Sequence, residues 1–205
     1  MTLKGLPCPT GGSTNQYGHG TGNHFYDYND PQDRASTLGV VETYHFTPDV
    51  ELHIKGHSDT IPGDLNYTIT TFPNHHKALL SAIRYQLKFN LKLINQDIPL
   101  KKPAECYLQR AIHFAPNDAA VVSLYAYYLK EVGQLEKAAS YYEKALSISP
   151  DNSKIEYSYS SVLIELKQYE KANKIAQRAY AHGKPPENLK NKLVKLGVWK
   201  ESIDK

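Results

Sequence analysis

The sequence predicts an all-α chain: a helical hairpin array over residues 73–205 behind an irregular, partly extended N-terminal region over residues 1–72. Three observations predict it. The chain matches itself at an offset of 34 residues, a period that belongs to stacked helix pairs. This offset pairs Ala104 with Ala138 and Ala172, Ala111 with Ala145 and Ala179, and Pro116 with Pro150. It also pairs Leu129 with Leu163, Tyr125 with Tyr159, and Glu136-Lys137 with Glu170-Lys171. The apolar residues after position 73 recur at helical spacing. Composition changes at the same place, since nine of the twelve glycines lie before residue 73.

The elements follow in order. Residues 1–35 are rich in Gly, Asn, Asp, Tyr and His without apolar periodicity, so they cannot build a core of their own. Their aromatics Tyr17, Phe25, Tyr26 and Tyr28 can anchor an arm on another surface. Val40 to Phe46, Val50 to Ile54 and Leu65 to Phe72 read as short strands or irregular extended segments. Helical order begins at Asn74, read as an N-cap after Pro73, and runs through Leu87. After a long connection, Pro103 starts a helix over Ala104 to Phe114. Asn117-Asp118 opens the next, Gly133 breaks it, and its partner runs from Leu135 to Ile148. Asn152 to Leu166 and Tyr169 to His182 repeat the pair, with Gly183 as the stop. Pro186 to Leu196, with Leu189, Leu193, Leu196 and several lysines, suits a capping helix over 186–197.

These residues resemble the tetratricopeptide repeat family, whose units are antiparallel helix pairs. The resemblance covers about residues 75–186 as units near 75–118, 119–152 and 153–186. It is most specific in the second, where Ala126 stands at the small crossing position, Gly133 at the turn, Ala138, Tyr142 and Ala145 in the second helix, and Pro150 at the end. The third unit keeps Ser160, Ala172, Ala176 and Ala179 but places Lys167 at the turn glycine. The leader is similar to bacterial tetratricopeptide proteins with a Tyr-rich region before the array, through Tyr26-Asp27-Tyr28, His45-Phe46-Thr47-Pro48 and Phe72-Pro73-Asn74-His75-His76-Lys77-Ala78. That similarity brings no activity with it.

The resemblance implies a concave groove, lined by the first helix of each unit, that accepts a peptide. Register places Ser123, Tyr127, Lys130 and Glu131 on it from the second unit, and Lys154, Tyr157, Ser161 and Glu165 from the third. Tyrosines offer flat amphipathic contact area and lysines attract carboxylates. Members that clamp a C-terminal carboxylate need Lys and Asn at set positions, two of which Ser123 and Tyr127 occupy here, which argues against that manner of recognition.

Composition bounds the alternatives. At 205 residues, with 40% hydrophobic and 22% charged residues, the chain suits one substantial core or two small ones. No run of about 18 apolar residues exists to span a membrane, and Met1 to Thr14 lack the pattern of a secretory signal. Residues 1–72 hold three basic against eight acidic side chains, a net −5, whereas residues 73–205 hold 21 against 13, a net +8. Opposite signs favour docking of the leader on the array, within one molecule or between copies as a homo-oligomer. Nucleic acid is not implied, because the lysines alternate with glutamates at helical spacing, as in Glu143-Lys144.

Seven of the nine histidines lie before residue 77, yet no metal-binding spacing appears among them, so no metal and no cofactor is implied. No nucleophile elbow or phosphate loop is present either. Asn66-Tyr67-Thr68 fits a glycosylation triplet. Cys8 and Cys106 are either two unrelated thiols or a disulfide that ties the tail to the first hairpin. Pairing places the protein in a periplasmic or extracellular setting, and free thiols place it in the cytoplasm. The sequence thus reads as a non-enzymatic interaction or assembly scaffold for a protein or peptide partner. Its alternatives are a self-assembling structural protein and a metal-binding or enzymatic protein built on the His-rich leader.

Overall fold

Every regular element among the described residues is a helix. The structure is a computed structural model that describes residues 2–3, 8, 25–90 and 98–199. Two compact units divide between Pro116 and Asn117.

The first unit holds α1 (Pro31–Asp33), a π-helical turn (Arg34–Leu38), α2 (Gly39–His45), α3 (Pro48–Glu51), α4 (Ile61–Thr71), α5 (His76–Asn90) and α6 (Ala104–Phe114). The segments expected to be extended are therefore helical. Val40 lies in α2, Val50 in α3, and Leu65 opens a stretch that remains in α4 to Thr71. The physical reason is burial. Ile61, Leu65, Thr68, Ile69 and Phe72 are all buried, and their spacing of 4, 3, 1 and 3 is one helical face. Thr60 caps α4 by accepting the Gly63 N–H, and Pro62 sits in its first turn, signals that outweigh the β-branched composition.

A second correction concerns Asn74, which lies one residue before the cap position of the next helix, α5, which starts at His76. Asn74 is fully buried; its Oδ1 accepts the Tyr28 N–H at 2.9 Å and its Nδ2 donates to Asp27 at 2.7 Å. The entry to α5 is closed instead by His75, whose Nδ1 accepts the Ala78 N–H at 3.1 Å. The leader aromatics anchor as the sequence expects. Tyr26 and Tyr28 pack on Leu38, Val41 and Phe72, and Phe25 stands edge-on to Phe114 with Arg110 over its ring. Tyr17 lies outside the described residues. Cys8 and Cys106 form a disulfide, and the Leu3 N–H donates to buried Glu105 at 2.9 Å on the same helix, α6.

The second unit holds α7 (Ala119–Glu131), α8 (Leu135–Ile148), α9 (Ser153–Glu165), α10 (Tyr169–His182) and α11 (Asn188–Lys195). Asp118 caps α7 through the Ala120 and Val121 N–H groups, and Asn152 caps α9 through that of Ile155. The pairs α7 with α8 and α9 with α10 pack closely, and α9 also packs on α8. Ala126, Ala138, Ala145, Ala172, Ala176 and Ala179 are completely buried, so the backbones approach, and Leu129, Tyr142, Tyr159 and Leu163 fill the space beside them. Ser160 replaces alanine at the crossing in the third unit, and its hydroxyl donates to the Ala172 carbonyl at 2.7 Å. Leu189 and Leu193 seat α11, whereas Leu196 is exposed.

The two hairpin turns, Val132-Gly133-Gln134 and Leu166-Lys167-Gln168, differ most at their middle residue. Gly133 and Lys167 both have left-handed backbone, at φ of 77° and 60°. A side chain in that region costs roughly 1–2 kcal/mol, part of which glycine returns through its freer unfolded state. Lys167→Gly is therefore expected to stabilise the second unit by about 0.5–1 kcal/mol, read as a higher urea midpoint.

Candidate peptide groove

The first helices of the two pairs, α7 and α9, pack against each other and carry the residues that the sequence assigns to a groove. Their inward faces are sealed: Val122, Ala126 and Leu129 of α7 and Ile155, Val162 and Leu163 of α9 are buried. Ser123, Tyr127, Lys130, Tyr157 and Ser161 are half-buried, and Glu131, Lys154 and Glu165 are exposed.

The structure brings three of the eight together. Lys130 lies 3.0 Å from Glu131 and 3.5 Å from Glu165, so an ion pair joins α7 to α9. Partial burial works against the Lys130 ammonium, but the hydrogen bond and charge of Glu131 and the charge of Glu165 outweigh it and hold its pKa above the ordinary lysine value. Tyr142 of α8 stands close by, and burial raises its phenol well above the usual tyrosine range. At the other end, the Tyr157 hydroxyl donates to Asn188 of α11 at 2.6 Å. The hydroxyls of Ser123 and Ser161 turn back to the Ala120 and Tyr157 carbonyls.

Behind this face, charged side chains join α9 to α10. Glu156 is completely buried and faces Arg178 Nε and His182 Nδ1, each at 2.9 Å. Arg178 also donates to the Pro150 carbonyl at 2.9 Å, which ties the α8–α9 turn to α10. Glu143 Oε1 accepts from both Tyr159 and Lys171 at 2.6 Å, and those bonds lower its pKa, Lys171 first.

Residues 129–190 match the family model described as Tetratricopeptide repeat. Over that stretch the chain is similar to a tetratricopeptide repeat. No curated protein matches the chain. The matched residues run from the end of α7 through α8, α9 and α10 into α11. Stacked helical repeats of this kind create extended concave surfaces suited to protein interaction.

The first unit contains a polar site that sequence reasoning missed. Asp64 is completely buried in the first turns of α4, and its carboxylate accepts His45 Nδ1 at 2.9 Å and the N–H groups of His57, Ser58 and Asp59 at 2.7, 3.3 and 3.2 Å. His45 stacks on Tyr67 with ring centroids 3.8 Å apart. A Cβ on Gly56 would overlap the Asp59 carbonyl oxygen, so glycine is needed for the loop to wrap the carboxylate. Gly56 and Gly63, both before Asp64, are the only trace of this in the sequence, and they read equally well as plain turns.

Two more histidines, His53 and His75, hold structure. Nε2 of His53 donates to Ser81 at 3.0 Å while Nδ1 accepts from Lys88 at 3.3 Å. Nε2 of His75 donates to Glu42 at 3.2 Å. Among the described residues no three His, Cys, Asp or Glu side chains are placed to hold a metal ion, and His19 and His24 lie outside them. The glycosylation triplet is inside α4, with Asn66 accepting the Tyr107 hydroxyl at 2.7 Å and Thr68 buried.

Burial, ahead of nearby Lys88, lowers the His53 pKa to about 4, and burial, ahead of nearby cations, lowers that of His75 to about 3. Both are neutral when folded, while in the unfolded chain they take up protons below about pH 6.5. Stability is therefore complete above that pH and falls as pH drops toward 3–4. For His75 alone the loss at pH 5 is about 2 kcal/mol. Urea midpoints between pH 7.5 and 5 read it directly, and His75→Gln is expected to flatten the acid slope.

Proposed function

We propose that the protein is a non-enzymatic interaction scaffold and that the face of α7 and α9 binds an extended segment of a partner protein. What carries this reading is the pairing of a tetratricopeptide match with half-buried tyrosines, Tyr127 and Tyr157, on successive first helices. Such rings supply large contact area at little entropic cost, which is why tyrosine is enriched at binding hot spots. The Cys8–Cys106 disulfide favours an oxidising compartment for this work.

The test is a displayed library of 12-residue segments panned on the full chain. Segments selected on the wild type are expected to lose about tenfold or more in affinity on Tyr127→Ala, a hot-spot effect, and little on Lys144→Ala of α8. Equal losses from both variants, or none from either, would overturn the assignment of the groove.

A further inference from the structure

The face shared by α7 and α9 is electrically two-ended. At one end a single ammonium, Lys130, stands between the carboxylates of Glu131 and Glu165, which leaves a net −1 on groups that are only 27–38% exposed. Both helices finish here, so their negative poles add to it. Lys154, eleven positions earlier on α9, lies in the first turn, is exposed, and has no side-chain partner among the described residues. The acid of that turn, Glu156, is buried on the far side with Arg178 and His182 and does not offset it. Tyr157, one turn on from Lys154, lies between the two charged ends of α9.

We infer that the partner segment places a lysine or arginine side chain on Glu131 and Glu165 and an acidic side chain on Lys154. This rests on the groove reading above. A ligand carboxylate brought to Lys130 meets two like charges for one opposite, whereas an ammonium or guanidinium leaves that cluster neutral. The lysine that the sequence offers as a carboxylate anchor is thus committed within the fold, and the end it occupies selects cations. Eleven helical residues span about 16 Å, which an extended chain covers in about five residues. The recognised segment therefore carries its basic and acidic residues about five positions apart, with apolar or aromatic residues between them.

The test uses the full chain and blocked nine-residue peptides of one aromatic core. One pair carries Arg and Asp five positions apart in either order, one peptide carries Asp at both positions, and one carries Arg at both. One order of the Arg/Asp peptide is expected to bind about fivefold tighter than the doubly acidic peptide at low salt, with the gap closing as salt rises. Glu131→Gln with Glu165→Gln removes that preference, and since both side chains are partly exposed the fold is retained, which circular dichroism checks. A doubly acidic peptide that binds as tightly as the Arg/Asp peptides, or a preference unchanged in the glutamine variant, overturns this inference while leaving the groove in place. Failure of every peptide to bind the wild type overturns the groove and this inference together.

Discussion

Replacing Asp64 by alanine is expected to destabilise the first unit by about 3–5 kcal/mol, the cost of breaking a buried, fully hydrogen-bonded charge. Asp64 has no exposed surface, and its two oxygens serve four donors. The alanine variant leaves the N–H groups of His57, Ser58 and Asp59 and one nitrogen of His45 without their acceptor, and water would have to enter α4's first turns to replace it. Asp64→Asn is expected to cost less, about 1–2 kcal/mol. Its carbonyl oxygen can still accept from His57 and Ser58, and its amide can donate to His45 once the imidazole changes tautomer. Urea unfolding of the three proteins checks the order, and nitrogen shifts of the His45 ring report the tautomer. An alanine variant within 1 kcal/mol of wild type would show that the carboxylate does not organise this loop.

Reduction of the Cys8–Cys106 bond is the second large effect. The bond joins residues 98 positions apart. Closing a loop of about that length lowers the entropy of the unfolded chain enough to stabilise the folded state by about 4.7 kcal/mol in the loop-closure account. The Leu3 bond to Glu105 sits beside it on α6, but one such hydrogen bond contributes only about 0.5–1.5 kcal/mol. Cys8→Ser with Cys106→Ser is expected to match the reduced wild type, and both are expected to show faster amide exchange in α6 than the oxidised protein. Coincident unfolding curves for oxidised and reduced protein would rule out a stabilising role for the bond.

The helices of the second unit were legible almost to the residue, for a physical reason. Their buried positions are small residues at a fixed period, their caps are Asp118 and Asn152, and their turn at Gly133 needs a left-handed backbone. Lys167 broke the turn signal without breaking the turn, because packing of Ser160 and Ala172 on either side holds the hairpin regardless. In the first unit, β-branched residues from Val40 to Thr71 imitated strands, and only burial shows that Ile61, Leu65, Thr68 and Ile69 share a helical face. Asn74 sat one residue before the true cap and looked like one, yet its side chain was needed by Tyr28 and Asp27, so His75 took the role. The groove residues could be placed on their helices by register, but their charges could not be summed, since the pairing of Lys130 with Glu131 and Glu165 depends on how α7 meets α9. The Asp64 site was not legible at all, because its donors are backbone groups that no side-chain pattern announces.

The most direct test of the scaffold account is amide and side-chain shift mapping of the full chain with a selected partner peptide bound. The account predicts that perturbed residues gather on α7 and α9 around Ser123, Tyr127, Tyr157 and Ser161. Perturbations gathered instead on the outer faces of α8 and α10, around Lys144 and Lys174, or confined to the first unit, would contradict it.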